Sequence, residues 1–280
     1  MTFVSPCCRV ALDVLTCPRC RTTYTEHAGI AVLVDPAFVK TAGFEVNDRR
    51  YQNGAVPWAY DRQAPEVQKY SVLTETVVSL LPSRASAVAD VGCSLGLLSQ
   101  HLLSHCDDVT ALDLSPSAVA RVKERLGPRV SAAAASATAL PLPDASLDVV
   151  VMSDGLVSWS LGDAGKLTAV REAERVLKPG GHAVFMDYVT PSRHHELIEP
   201  VKAVFGIERM LYTHDRLWYV TESMVRVLKG TAVHTFFSES LGWSKALKKV
   251  SRLLGPAGSK HFGAVVQKPP AVTGTAAPRT

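Results

Sequence analysis

The chain has 280 residues, 47% hydrophobic and 20% charged, a balance that supports a sizeable core and excludes a disordered or fibrous protein. Its 30 Lys and Arg against 26 Asp and Glu leave a net charge of +4, too small to argue by itself for a nucleic-acid partner. No apolar run reaches the roughly 18 to 20 residues of a membrane span, and no basic start leads into an apolar stretch; the expectation is no membrane partner, no signal peptide and a cytoplasmic location.

Six cysteines are unevenly spread. Cys7, Cys8, Cys17 and Cys20 crowd the first 20 residues, while Cys93 and Cys106 lie far downstream. Without an export signal thiols stay reduced, so the cluster reads as metal ligands rather than disulfides. Cys17-Pro18-Arg19-Cys20 has the spacing of a metal knuckle. The stretch "SPCCRVALDVLTCPRCRTTYTEHAGIAVLV" resembles the small zinc ribbon of Trm112-like proteins and of some ribosomal RNA guanine methyltransferases. That resemblance implies a structural Zn2+ on Cys8, Cys17 and Cys20, with Cys7 or His27 as fourth ligand, because Ser5 stands where the first cysteine of the ribbon belongs. The competing reading is a ribbon without metal, held by apolar packing. Residues 1–36 form this module, closed by a strand within "AGIAVLVDP".

Residues 37–70 are polar and aromatic, broken by Pro57 and Pro65, and read as a linker or N-terminal lid in which Tyr51, Trp58 and Tyr60 either close over a ligand or simply pack. From residue 71 the pattern alternates. "SVLTETVVSLL" has helical spacing, "AVADVG" reads as a buried strand, "LLSQHLLSH" as a helix and "DVTALDL" as a strand. "SPSAVARVKERLG" is a helix with Ser115 as N-cap, Pro116 in its first turn and Gly127 at its end. "LDVVVMSD" is a strand, "GKLTAVREAERVL" a helix, "KPGG" a turn and "HAVFMDYV" a strand. This alternation predicts an α/β fold with a parallel sheet covered on both faces. Beyond it, "RHHELIEPVKAVFGIERML" and "TESMVRVLKG" read as helical, "HFGAVVQKP" as a last strand, and residues 270–280 as a disordered tail.

Gly92-Cys93-Ser94-Leu95-Gly96 fits two chemistries. One is the nucleophile elbow of serine hydrolases, but no oxyanion loop precedes it and too few strands do. The other is a cofactor loop after a first strand. Asp90 lies two residues before Gly92, and Asp113 ends the next strand 17 residues after Gly96, where a carboxylate can accept both hydroxyls of a ribose. Taken singly, the glycines could only pack a helix on a strand and Asp113 could only cap one.

Four stretches in order, "VADVGCSLGLLSQHL", "ALDLSPSAVARVKERL", "ALPLPDASLDVVVMSDGL" and "REAERVLKPGGHAVF", resemble the class I S-adenosylmethionine-dependent methyltransferases over residues 71–190. The resemblance implies a doubly wound, mostly parallel, seven-stranded Rossmann-like sheet, with the methyltransferase domain over 71–269. It implies S-adenosylmethionine held by Asp90, Gly92, Cys93, Ser94, Gly96, Asp113, Leu114, Ser136, Ala137 and Ser153. Ser94 replaces the usual glycine, and Ser136 replaces the acid that often holds the adenine amino group. Cys93 and Cys106 read as buried structural thiols.

Methyl transfer is a displacement that needs alignment, and a base only when the acceptor loses a proton. Asp154, at the end of the fourth strand, is the first candidate for substrate contact or base, its alternative being a capping acid; Trp159 is expected to line the pocket. His195 is the second catalytic candidate. Asp187, Tyr188, His194 and His214 are weaker ones. The preferred acceptor is an O, N or C atom of a small molecule. The alternatives are an RNA base, with the ribbon on the RNA, and a non-catalytic binding protein. No Asn/Asp-Pro-Pro-Tyr or Pro-Cys follows the fourth strand, which sets aside exocyclic amino and C5-pyrimidine methylation.

Overall fold

The structure is a computed structural model that describes residues 2–12, 14–57, 61–157 and 161–271. Trp58, Tyr60, Trp159 and residues 272–280 lie outside the described residues.

The strands are β1 (Thr25–His27), β2 (Ile30–Leu33), β3 (Ala87–Val91), β4 (Asp108–Asp113), β5 (Val130–Ala135), β6 (Leu147–Ser153), β7 (Leu177–Tyr188), β8 (Ile207–Tyr212) and β9 (His261–Gln267). The helices are α1 (Pro36–Val39), α2 (Ala42–Arg49), α3 (Ala64–Leu80), α4 (Leu97–Leu102), α5 (Pro116–Leu126), α6 (Asp163–Val176), α7 (His195–Lys202), α8 (Arg216–Val225), α9 (Ala232–Glu239) and α10 (Leu241–Ser251). All nine strands join one sheet in the order β1-β2-β5-β4-β3-β6-β7-β9-β8. The central five, β5-β4-β3-β6-β7, are parallel, whereas β9 runs antiparallel to β7 and β8 antiparallel to β9. This is a doubly wound, Rossmann-like architecture. The expected seven strands are corrected to nine in a mixed sheet. The surplus pair comes from the N-terminal module: β2 adds in parallel to the outer edge of β5 through Val32–Ala134 and Leu33–Ala135, and β1 folds back on β2.

Two-residue periodicity explains how the sheet is buried. In β6, Val150 and Met152 point into one apolar layer with Leu140, Phe185 and Val201, while Val149 and Val151 point into the other with Leu73, Leu102 and Val265. Both faces are covered, so the strand reads as an unbroken apolar run. The α5 signals act as read: the Ser115 hydroxyl accepts from Ala118 N at 3.0 Å, and Gly127 ends the helix at φ +62°.

Three local readings change, and one strand, β5, had no reading. Pro65 lies in the first turn of α3, where a missing N–H costs nothing, so it starts the helix, which then crosses the 70/71 boundary. β7 runs through "KPGG" as one strand with a bulge: its pairing with β6 jumps from Leu147–Leu177 to Val149–His182, and Gly180 there takes φ +80°. The stretch read as one helix from Arg193 to Leu211 divides into α7 and, after Gly206, β8; pairing with β9 overrides helical spacing there. β5, "VSAAAA", carries little strand preference and is held by its neighbours on both sides.

The N-terminal residues make two matching turns, one bridged by Val4 and Ala11 and one by Thr16 and Thr23. Arg9 and Arg21, equivalent in the two turns, both have left-handed φ (+56° and +60°). The module docks on the main core. Val4 N donates to Pro141 O at 3.0 Å, Arg9 pairs with Glu172 at 3.3 Å, and Cys17 and Tyr24 are buried in the same layer as Leu140 and Leu142.

Candidate functional site

The loop after β3 turns sharply, with Gly92, Ser94 and Gly96 all at positive φ. A Cβ on Gly96 would lie 2.9 Å from Val122 Cγ2, so this glycine serves the packing of α5 against the loop. Ser94, at φ +50°, holds a conformation that costs a side-chain-bearing residue energy. Its Oγ is buried beside Tyr51 and makes no hydrogen bond of ordinary length among the described residues, and Ser153 Oγ at the end of β6 is likewise buried without a partner. Among the described residues no histidine is hydrogen-bonded to Ser94 Oγ, so they do not form a hydrolase elbow. Cys93 is buried, and burial, then the Asp113 charge, pushes its thiol well up; it behaves as an apolar side chain.

Asp113 is 8% exposed and accepts from Ser94 N and Ser115 N, both at 2.9 Å. Burial still raises its carboxyl above the usual range. Tyr51, between α2 and α3, packs on Leu95 and Ala118 over this end of the sheet. Asp48 of α2 accepts from the Ser115 and Ser117 hydroxyls at 2.6 and 2.8 Å, tying the N-terminal segment to the start of α5. Asp90 accepts from Ser99 Oγ at 2.6 Å, and burial pushes its carboxyl up to about 6. Leu114 is half-buried, Ala137 packs against the core, and the Ser136 hydroxyl is engaged with Thr138 Oγ1 at 2.8 Å.

A second group of polar side chains gathers where β6 and β7 end and β9 begins. Asp154 is left-handed at φ +55° and is pinned on both sides: its N–H donates to Met186 O at 2.8 Å and its Oδ1 accepts from Tyr188 N at 2.9 Å. Its Oδ2 accepts from Lys69 Nζ, whose side chain is 1% exposed and which also donates to Glu66 Oε2 at 2.6 Å. Glu66 Oε1 accepts from Tyr219 OH at 3.0 Å and lies 3.4 Å from His261 Nε2. His261 Nδ1 meets Asp215 Oδ2 at 2.5 Å. Burial acts to lower His261, but Glu66 and Asp215 outweigh it and push the imidazole up to about 10. Burial likewise opposes Lys69, and Asp154 and Glu66 hold it well above its ordinary value. Glu66, Asp154 and His261 are spaced as metal ligands would be, yet the Lys69 ammonium already bridges the two carboxylates.

Asp187 completes the group. Its Oδ2 accepts from Leu156 N and Val157 N at 3.0 and 3.1 Å, its Oδ1 is buried without a partner among the described residues, and burial, then Asp154, pushes it up to about 7. The structure thus brings Asp154 into a cluster and leaves His195 exposed at the first position of α7. His194 lies flat on Phe262 at 3.8 Å, and the histidine within the cluster is His261. Glu66, Lys69, Asp215 and Tyr219 were not singled out from the sequence, and His261 stood out there only as one of several histidines downstream of Ser94.

Cys7, Cys8, Cys17 and Cys20 converge, with all four Sγ atoms within 4.8 Å of one another. Cys7 Sγ is 3.2 Å from Cys20 Sγ, and Ser5 Oγ is 3.5 Å from Cys17 Sγ. His27 is exposed at the end of β1 and is not in the group. Burial works to raise Cys17, but the Ser5 hydroxyl and the amides of Cys20 and Arg19 prevail and lower it to about 6. Four soft donors at this spacing suit a tetrahedral zinc.

Residues 89–185 match the family model described as a methyltransferase domain. A malonyl-[acyl-carrier protein] O-methyltransferase of Marinomonas sp. is 32% identical over 167 residues, 56% of this chain and 58% of that protein. A demethylmenaquinone methyltransferase of Beutenbergia cavernae is 31% identical over 177 residues, 63% of this chain and 66% of that protein. The chain spans about half the length of the first curated relatives it matches. Among solved structures, the N-methyltransferase NodS from Bradyrhizobium japonicum in complex with S-adenosyl-L-homocysteine has a similar fold, with a TM-score of 0.57 at 17% identity, covering 81% of this chain and 98% of that one. Residues 89–185 are therefore similar to a methyltransferase domain, and they lie on a Rossmann-like sheet.

Proposed function

We propose that this protein is an S-adenosylmethionine-dependent methyltransferase whose acceptor is a small molecule. The observation that carries this reading is the set of polar groups at the carboxyl ends of β3, β4 and β6: the buried Asp113 carboxylate held by Ser94 N on a left-handed loop, with the Ser94 hydroxyl buried on that loop and the Ser153 hydroxyl buried at the end of β6. Ligands of doubly wound sheets bind at that place. Asp113 is suited to accept both ribose hydroxyls, Ser94 and Ser153 each offer a hydroxyl, and Gly92 keeps the backbone open. S-adenosylmethionine, when bound, supplies a methyl group on a positively charged sulfur.

The chain's own groups then set the acceptor end. Asp154 has both oxygens engaged, so in this reading it positions Lys69 and Tyr188 rather than taking a proton. Asp187 Oδ1 is the carboxylate oxygen left free beside it, and its value of about 7 suits proton removal from an acceptor that must lose one. Cys7, Cys8, Cys17 and Cys20 hold a structural zinc in this reading. The ribbon offers RNA phosphates only three arginines, Arg9, Arg19 and Arg21, and Arg9 is already paired with Glu172, which favours the small-molecule acceptor.

The test is calorimetric titration of S-adenosylmethionine and S-adenosylhomocysteine, with Asp113→Ala alongside. Micromolar binding, weakened at least about a hundredfold in the variant through loss of two charge-assisted hydrogen bonds, supports the proposal. No binding by folded protein refutes it and leaves a non-catalytic role for the domain.

A further inference from the structure

Residues 216–258, inserted between β8 and β9, differ from the rest of the surface. Ten of the fifteen large apolar side chains exposed among the described residues lie in this segment. On α8 and the turn after it, Val220, Met224 and Val227 follow helical spacing along one face, and Met224 and Val227 are 74% and 87% exposed. Phe236 on α9 is 57% exposed, and Val250 and Leu253, at and beyond the end of α10, are 52% and 85% exposed. α8 packs against both α9 and α10, so these side chains belong to one helical subassembly.

The charge is equally uneven. Residues 216–258 hold seven Lys and Arg against two Asp and Glu, whereas the rest of the chain holds 23 against 24. Of the two acids, Glu222 is buried and paired with Arg226 at 2.5 Å, which leaves Glu239 as the segment's exposed acid. Exposed aliphatic groups interleaved with lysines, as in "LGWSKALKKVSRLL", suit an interface that is apolar beneath and anionic at its surface. An RNA phosphate backbone calls for the charge but gives no reason to expose leucines.

We propose that residues 216–258 form a peripheral docking surface for an anionic phospholipid bilayer. The expectation of no membrane partner rested on the absence of a spanning run, which does not bear on a surface contact of this kind. A cavity of about 360 Å³ lined by Tyr219, Val220, Ser223, Met224 and Lys260 opens on α8 within the same region. Its Tyr219 wall bonds to Glu66 of the buried cluster, so it joins the docking surface to the acceptor end. An amphiphilic acceptor drawn from the bilayer fits this route; that clause rests on the methyl-transfer reading, and the docking surface does not.

The experiment is co-sedimentation of the full chain with vesicles of phosphatidylcholine alone and of phosphatidylcholine mixed with phosphatidylglycerol, at low and high salt. The expected result is binding to the anionic vesicles that salt reverses. Lys245→Glu with Lys249→Glu should lower it at least about tenfold, since each basic residue near such a surface is worth about fivefold. Val227→Ser with Leu253→Ser should lower it without changing salt dependence. All four positions are exposed, so urea midpoints and S-adenosylhomocysteine titrations report whether the variants remain intact. Absence of vesicle binding overturns the proposal, as does a concentration-dependent dimer lost on Val227→Ser, which assigns the surface to a second copy. Salt-sensitive retention of RNA without vesicle binding also overturns it. Failure here with intact cofactor titration refutes docking alone.

Discussion

Asp215→Asn tests the electrostatics of the buried cluster most directly. Asp215 is 5% exposed, faces His261 Nδ1 at 2.5 Å, and also accepts from Lys260 N and His261 N at 2.7 and 3.2 Å. Asparagine keeps the shape and, through its carbonyl oxygen, those amide bonds, but removes one of the two charges that raise His261. Removing one partner of a buried ion pair costs roughly 3–5 kcal/mol. With Glu66 and the amides retained, the lower end applies, about 3 kcal/mol, or a fall in Tm of roughly 6–12 °C for a chain of this size. The pH dependence follows from the direction of the shift. His261 is raised from 6.5 to about 10, so its contribution is complete below pH 6.5 and is lost as pH rises through about 10. The gap between wild type and variant should therefore be full at about pH 6.5, shrink as pH rises above it, and close near pH 10. Urea denaturation followed by tryptophan fluorescence across that range measures it. A gap below about 1 kcal/mol at neutral pH, or one that does not change with pH, would show that the imidazole is not held as a cation.

Other positions give independent expectations. Gly96→Ala places a Cβ 2.9 Å from Val122 at φ +67°, and should destabilise by roughly 1–3 kcal/mol in the same urea assay, whether or not cofactor is present. Metal analysis of the purified chain should find about one zinc per chain. Cys7→Ala should reduce that content sharply and His27→Ala should not, because Cys7 lies within the thiol group and His27 outside it; zinc well below that level would leave apolar packing as what holds the module. Arg175→Met removes one of the two arginines paired with Glu172 and the donors to Leu140 O and Leu142 O; because Arg9 and Leu140 N stay on Glu172, it should cost about 3 kcal/mol, the low end for a broken buried pair, seen as a lowered denaturation midpoint.

The parts of the site that could be read from the sequence are those encoded locally. Gly92, Ser94, Gly96 and Asp113 sit within 22 residues, joined by one turn and one helix, and the structure places Asp113 against Ser94 N as that spacing suggests. The cysteine group was also legible, since its two knuckles are short. The acceptor-end cluster was not. Glu66 and Lys69 come from α3, Asp154 follows β6, and Asp215 and His261 flank the helical insertion, so only the antiparallel return of β9 beside β7 brings them together. Nothing in the sequence around His261 distinguishes it from an edge residue, and His195, in a more suggestive run, faces outward. β8 was misread for a related reason: a short apolar segment takes the structure its partner strand dictates.

The parallel pairing of β2 with β5 has a consequence for how the chain comes together. β5 is "VSAAAA", without charge, proline or bulk, and so has none of the features by which a bare strand edge is kept from pairing with another molecule. Its protection comes from Val32 and Leu33, about 100 residues earlier in the chain, so a long loop must close before that edge is sealed. Until then each chain offers an uncharged ladder of free amides and carbonyls, and two chains meeting in that interval can pair with each other. Trimming the first 33 residues would make this interval permanent: the sheet would keep its central strands and lose its resistance to aggregation.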